Sequence, residues 1–269
     1  DHWHVVVFAG GVGRGGAARL AARAALRAGA GLVTVVCPEE ALLEHAMRLD
    51  AIMLRGYSRL ENLKDVLDER VTGFCVGPGM GIGASTREIV KRVVSKGETD
   101  RNWRKPVVVI DADALTSFAD DPDTLFDCVH ERTVLTPHEG EFSRLFPDLA
   151  KDLRGQQSKI DVTRKAAARC GCLVLLKGVD TVIAAPNGSA SVQAASYDRQ
   201  VPWLATAGAG DVLAGLISGL AAPLVSADVF AMTEAAAWLH VECARAFGPG
   251  LIAEDLPEAL PGVFRDLGV

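Results

Sequence analysis

The sequence predicts an α/β protein in three layers, with a mostly parallel central sheet, helices on both faces and one β-hairpin late in the chain. Three observations predict it. Short, wholly apolar runs such as Val107–Ile110 and Leu173–Leu176 read as strands covered on both faces. Helix-spaced apolar stretches alternate with those runs almost to the end, and a βαβα order pairs strands in parallel through right-handed crossovers. Hydrophobic residues make up 49% of 269 and aromatics only 6%, the Ala-, Val- and Leu-rich make-up of such a core.

Taken in order, Val5–Ala9 is a short strand, followed by a glycine turn and the amphipathic stretch Ala17–Ala28. Leu32–Cys37 is the next strand, after which Pro38 and Glu39 open a helix to about Leu49. Gly73–Gly77 reads as a buried strand, and Ser85 as the cap of a helix reaching Ser95. The polar stretch Lys96–Lys105 is a surface loop, and Val107–Ile110 and Thr133–Thr136 are strands. A helix covers Asp161–Cys170, and Leu173–Leu176 is a strand. Thr181–Ala185 and Ala190–Gln193, joined by Pro186-Asn-Gly188, form the hairpin, with helices from there to the end. No repeat or low-complexity linker intervenes, so residues 1–269 read as a single domain.

A net charge of −6 with no basic run argues against nucleic acid as the main partner. Apolar stretches are broken well before 18 residues, which argues against a transmembrane helix, and no signal peptide is visible. The six cysteines (37, 75, 128, 170, 172 and 243) are scattered and lack zinc spacing. They read as reduced core thiols of a cytoplasmic protein. The chain starts at Asp1 without a Met and enters a strand at once, so a preceding segment is expected.

In open α/β sheets, ligands bind beyond the carboxyl ends of the strands, and glycine-rich or polar motifs follow several of the strands here. Gly11-Val-Gly13-Arg-Gly15-Gly16 matches a dinucleotide fingerprint, but Val35-Val36-Cys37-Pro38 stands where its acidic residue belongs, which favours a turn facing some other ligand. Gly77-Pro-Gly79-Met-Gly81 is either a tight turn or a place of close backbone approach, where Gly79 and Gly81 do not obstruct a ligand. Asp113 reads as a helix cap, whereas Asp111 projects at the sheet edge, where a carboxylate can hold a phosphate-bound magnesium. His138-Glu-Gly-Glu141 opens a helix, and its acids converge with the aspartates on a hard, oxygen-liganded Mg²⁺ site rather than zinc. Lys177 is either solvent-facing or a nucleotide contact. Walker-type phosphate loops and hydrolase nucleophile motifs are absent. Gly208-Ala209-Gly210-Asp211 precedes a helix whose first N–H groups suit a phosphate, and Asp211 reads as a helix cap or as a base taking a proton from an attacking hydroxyl.

The ordered set Gly77-Pro-Gly79-Met-Gly81, Asp111-Ala-Asp113, Thr136-Pro137-His138-Glu-Gly-Glu141, Lys177-Gly178-Val-Asp-Thr181 and Gly208-Ala-Gly210-Asp211 resembles the ADP/ATP-dependent NAD(P)H-hydrate dehydratases. These are the carbohydrate-kinase-like domains of the YjeF type, within the ribokinase-like superfamily, and the resemblance spans nearly the whole chain. It implies a ribokinase-like three-layer α/β/α fold without a separate lid domain. The activity it implies is metabolite repair. ADP or ATP phosphorylates the C6 hydroxyl of a hydrated nicotinamide ring, and loss of phosphate restores NAD(P)H. By the same resemblance Asp211 is the base, and the Gly208, Ala209 and Gly210 amides hold the phosphoryl group. Lys177, Gly178, Val179, Asp180 and Thr181, with Gly210, hold the AMP portion. Ala17, Gly79, His138 and Asp211 line the substrate site, while Glu141 organises magnesium. A fused epimerase domain and a homo-oligomer packed through Ala-rich helices are further expectations. The dehydratases usually carry Ser or Thr where Ala209 stands. The turn therefore leaves open a kinase of a sugar, thiamin or pyridoxal precursor, and a non-catalytic nucleotide-binding domain.

Overall fold

A computed structural model describes residues 3–65, 67, 70–95, 105–155, 157–222 and 228–269. Apart from Lys105, the loop expected at 96–105 lies outside the described residues. The chain runs β1 (His4–Phe8), α1 (Gly15–Arg27), β2 (Leu32–Pro38), α2 (Leu42–Ala46), β3 (Met53–Tyr57), β4 (Val71–Val76), α3 (Ala84–Val94), β5 (Val107–Ile110), α4 (Ala112–Thr116) and α5 (Pro122–Phe126). It continues through β6 (Thr133–Leu135), α6 (Glu139–Leu145), α7 (Pro147–Arg154), α8 (Lys159–Cys170), β7 (Leu173–Leu176), β8 (Asp180–Ala184) and β9 (Ala190–Ala194). Three helices close it: α9 (Ala209–Ala221), α10 (Val229–Phe247) and α11 (Asp255–Leu267).

The nine strands among the described residues lie in one sheet, ordered β3-β2-β1-β4-β5-β6-β7-β8-β9. β1 to β7 pair in parallel, and the β8–β9 hairpin continues the same sheet antiparallel to β7. Strand alternation divides the core in two. Val5 and Val7 face the layer of α1, α9, α10 and α11, whereas Val6 and Phe8 face α3, α4, α6 and α8. All four of those β1 side chains are fully buried, each contributing on the order of 1.5–3 kcal/mol. This is the three-layer arrangement expected. The alanines of α1 (Ala18, Ala21, Ala22, Ala24 and Ala25) are spent inside the chain, so they offer no face to another subunit. None of the six cysteines forms a disulfide, and no helix among the described residues is long and apolar enough to cross a membrane.

Several expected boundaries move. Pro38 ends β2, paired with Tyr57, because the ladder runs on to that position. The helix expected from there to Leu49 shrinks to a 3-10 turn at Glu39–Ala41 and the five residues of α2. Edge strand β3 was not expected. It carries Arg55 and Gly56, a polar and flexible make-up suited to an edge but unlike a buried strand. Gly56 has its reason in packing, since a Cβ there would lie 2.6 Å from Leu42 Cδ1. Ser85 does not cap α3. The cap position is Gly83, whose N–H donates to Ser117 Oγ at 3.1 Å, while Thr86 Oγ1 donates to the Gly81 carbonyl at 2.6 Å.

The chain steps outward from β1 to β2 and β3, then returns to the other side of β1 as β4. That reversal opens the crevice of a switch-point sheet, where the loops after β1 and β4 diverge.

Candidate active site at the carboxyl edge of the sheet

The edge motifs stand side by side because the ladder is extended by one bond past each strand. Asp111 N–H donates to the Val76 carbonyl, Thr136 N–H to Ile110, and Lys177 N–H to Pro137, at 2.9–3.1 Å. At the switch point the first glycine turn packs on the Gly77–Gly81 turn. A Cβ on Gly10 would lie 1.9 Å from the Gly79 carbonyl, and one on Gly79 would lie 2.5 Å from the Arg14 carbonyl and 3.4 Å from Ala17 Cβ. Gly79, at φ +69, is thus required by turn-on-turn packing, which brings Ala17 and Gly79 together. Gly81 N–H donates to Asp113 Oδ2 at 2.8 Å. Asp113 is therefore no helix cap, contrary to expectation. Asp111 holds the cap position of α4 but makes no side-chain cap bond, because its carboxylate is engaged elsewhere.

That engagement is the centre of the site. Lys177 Nζ lies 2.6 Å from Asp111 Oδ1 and 3.9 Å from Glu141 Oε2, and Thr136 Oγ1 donates to Asp111 Oδ1 at 2.8 Å. Asp111 is 1% exposed and Glu141 5%, so neither carboxylate is a surface charge. Burial works to lower the Lys177 ammonium, but Asp111, Glu141 and Asp211 outweigh it and hold its pKa above the usual lysine value. Burial raises the Glu141 carboxyl, opposed by Lys177 and reinforced by Asp111. Lys177 is thus a half-buried cation inside an acidic cluster, not a free solvent-facing lysine.

His138 caps α6. The N–H groups of Gly140 and Glu141 donate to its Nδ1 at 2.9 and 3.3 Å, and its own backbone N–H donates to Glu141 Oε2 at 2.8 Å. This is a reciprocal capping box with an imidazole in place of a hydroxyl. Accepting at Nδ1 puts the proton of the neutral ring on Nε2, which faces Glu141 Oε1 at 3.4 Å.

Gly208, at φ +90, is the cap of α9, with no side-chain cap bond. Asp211 sits two residues inside the helix and does not cap it. The Ala209 N–H donates to the Thr206 carbonyl at 3.3 Å, which takes one of the expected phosphate donors out of the anion hole. A helix start leaves the following N–H groups without intrahelical acceptors. The Asp211 carboxyl is raised to about 7, first by burial and then by Asp111, with Lys177 opposing and Asp113 and Glu141 adding.

Beside this cluster lies a cavity of about 710 Å³. Lys177, Gly178, Val179 and Thr181 wall one side, and Ala209 and Gly210 another. Asp180 is outside the wall, because strand alternation turns it away from the face that Thr181 presents. His138, a predicted site residue, also lines it, but most of the remaining wall was missed by sequence reasoning. It comes mainly from the segment 195–206, with Gln193 on β9, Leu213 on α9, and Ala237, His240 and Val241 on α10. Arg199 pins that segment to α10, donating to Glu242 Oε1 at 2.7 Å and lying over the Trp238 ring. Burial lowers His240 to about 4, and its Nε2 has no partner. Lys159 was also missed. Its ammonium donates to the Lys177 carbonyl at 3.2 Å and fills the space where Gly178 lacks a Cβ.

No group of three His, Cys, Asp or Glu that could hold a metal occurs among the described residues. Mg²⁺ ordinarily keeps several waters and binds one or two carboxylates plus substrate phosphates. Asp111 and Glu141, gathered on one ammonium beside the cavity, fit such a phosphate-borne ion and not a closed protein cage.

A family model described as NAD(P)H-hydrate dehydratase matches residues 5–259. The bifunctional NAD(P)H-hydrate repair enzyme Nnr of Moorella thermoacetica is 36% identical, covering 98% of this chain and 49% of that protein. The Nnr of Escherichia coli K12 is 33% identical, covering 82% and 39%. The chain spans about half the length of the curated relatives it matches. The ADP/ATP-dependent NAD(P)H-hydrate dehydratase of Bacillus subtilis, co-crystallised with ATP/Mg²⁺ and soaked with CoA, superposes with a TM-score of 0.76 at 24% identity, over 99% of this chain and 93% of that one. A hydroxyethylthiazole kinase from Pyrococcus horikoshii shares the fold more distantly, with a TM-score of 0.63 at 15% identity over 97% and 90%.

Proposed function

The chain belongs to the NAD(P)H-hydrate dehydratase family, and we propose that it returns the hydrated nicotinamide ring of NAD(P)H-hydrate to NAD(P)H at the expense of ADP or ATP. The observation that carries the proposal is Asp211. It is a partly buried carboxyl in the first turn of α9 that makes no cap bond and is raised to about 7, one residue after Gly210, which lines the large cavity. A base poised near neutrality serves proton removal best. Asp211 takes the proton of the C6 hydroxyl, whose oxygen forms the new bond to the terminal phosphorus as the nucleotide's bridging P–O bond breaks. The C6–O bond then breaks with loss of phosphate, and the C5 proton leaves, restoring the dihydropyridine.

The nucleotide occupies the 710 Å³ cavity, with its phosphates directed at Lys177 and the Gly210 amide, and the substrate lies over Ala17, Gly79, Gly81 and His138. Glu141 and Asp111 would hold Mg²⁺ through its waters, and bound there the ion would offset phosphate charge. Residues 1–269 act as one domain in this reading. The bifunctional names of the relatives and the half-length match support a second, epimerase domain in the natural protein.

Incubation with hydrated NADH or NADPH and ADP or ATP should restore absorbance at 340 nm, and no recovery with either nucleotide would sink the reading. Asp211→Asn is expected to fold and to lose at least ~100-fold in rate. Ala209 favours a second reading, a kinase that keeps its phosphorylated product. A stable phosphorylated sugar, thiamin or pyridoxal precursor, formed without 340 nm recovery, would select it.

A further inference from the structure

A second, smaller cavity of about 150 Å³ lies between α1, the end of α2 and the start of α11. Three arginines, Arg19, Arg23 and Arg48, line it together with one acidic residue, Glu254. Arg19 is held by Glu44 at 3.0 Å and Arg23 by Glu258 at 3.8 Å, whereas Arg48 has no ion-pair partner among the described residues. The wall therefore has an excess of positive charge, and arginine forks match phosphate oxygens in pairs. Gly16 forms part of the wall, and a Cβ there would meet no atom within 4 Å, so free space lies beside it.

The cavity is tied to the proposed substrate site on two sides. Glu44, which fixes Arg19, also accepts the N–H of Gly13 at 2.6 Å, so one carboxylate orders both the arginine and the first glycine turn. Leu20 lines the cavity and abuts the catalytic turn, since a Cβ on Gly208 would lie 2.7 Å from Leu20 Cδ1. Ala17 is the next residue after Gly16.

We propose that this arginine-lined cavity is a phosphate subsite for the dinucleotide substrate, with Arg48 and Arg23 as its binding groups. The proposal rests on the dinucleotide reading given above. The phosphate is either the diphosphate bridge, common to both substrates, or the ribose 2′-phosphate, present only in the NADPH form.

The test compares wild type with Arg48→Gln, Arg23→Gln and the double variant, none of which removes a residue of the core. Steady-state kinetics with hydrated NADH and hydrated NADPH, at saturating nucleotide, should show KM for the dinucleotide raised at least ~5-fold in the double variant, with kcat nearly unchanged, as for lost ground-state binding. An equal rise for both substrates assigns the diphosphate, and a rise confined to the NADPH form assigns the 2′-phosphate. Binding of NADH and NADPH, read by their own fluorescence, decides the subsite even without turnover. If wild type binds but fails to restore 340 nm absorbance, the functional reading falls while the subsite stands or falls on the variants' affinities. Affinities and KM values within ~2-fold of wild type in the double variant, or no binding of either dinucleotide by wild type, would overturn the subsite.

Discussion

Asp211 shows how a residue's surroundings, more than its type, decide its chemistry. Burial and the neighbouring Asp111 raise its carboxyl to about 7, so the base form gains population as pH rises through neutrality. The acid limb of kcat/KM should therefore have an apparent pKa near 7. Asp111→Asn removes a charge that raises Asp211 and frees Lys177 to lower it, so the limb should move to lower pH. An unmoved limb would detach Asp211 from that cluster. The same shift has a stability sign. A carboxyl at about 7 in the fold and 3.8 unfolded keeps more protons folded, so its contribution declines as pH rises between those values. Asp211→Asn should melt at or above the wild-type temperature at pH 8 while losing activity, and a lower Tm would give the carboxylate a structural role instead. Sequence alone named Asp111, Glu141, Lys177 and Asp211 as candidates. It could not tell that Asp113 binds a turn amide while Asp111 binds the lysine, because both depend on side chains meeting across a sheet edge.

At the scale of elements, α1 and α9 carry the two turns that must face each other, and glycine sets their separation. A Cβ on Gly215 would lie 2.1 Å from the Ala21 carbonyl, and one on Gly219 would lie 2.4 Å from that of Ala25. The helices cross backbone to backbone, with Ala18, Ala21 and Ala25 completing the seam. Gly215→Val must push α9 away, at a cost of about 3 kcal/mol. Thermal unfolding should show a Tm lowered by about 6 °C, with turnover falling further as the α9 turn moves from α1. A near-wild-type Tm would mean that the crossing relaxes freely. Strongly patterned elements such as β5, β7, α8 and the hairpin were legible within a few residues. β3 was not, because an edge strand with Arg55 and Gly56 lacks the continuous apolar run that marks its buried neighbours.

At the scale of the molecule, the buried histidines set the response to acid. Burial lowers both His130 and His240 to about 4, well below the ordinary 6.5. The unfolded chain then binds more protons between pH 6.5 and pH 4, so stability is lost as pH falls through that window. Tm should drop by several degrees from pH 7 to pH 4.5, and His130→Phe should flatten the slope. An unchanged slope would show that other groups govern it. By itself, the sequence determined the alternation of layers, the parallel sheet, the family and the line of motifs at its carboxyl edge, because hydrophobic period and turn chemistry are local. Only the tertiary structure decided which aspartate meets Lys177, that Gly79 is small to admit the first turn, and that residues 195–206 with His240 close the large cavity. Those outcomes depend on which distant side chains the strand order brings within a few ångströms, and no local pattern encodes that.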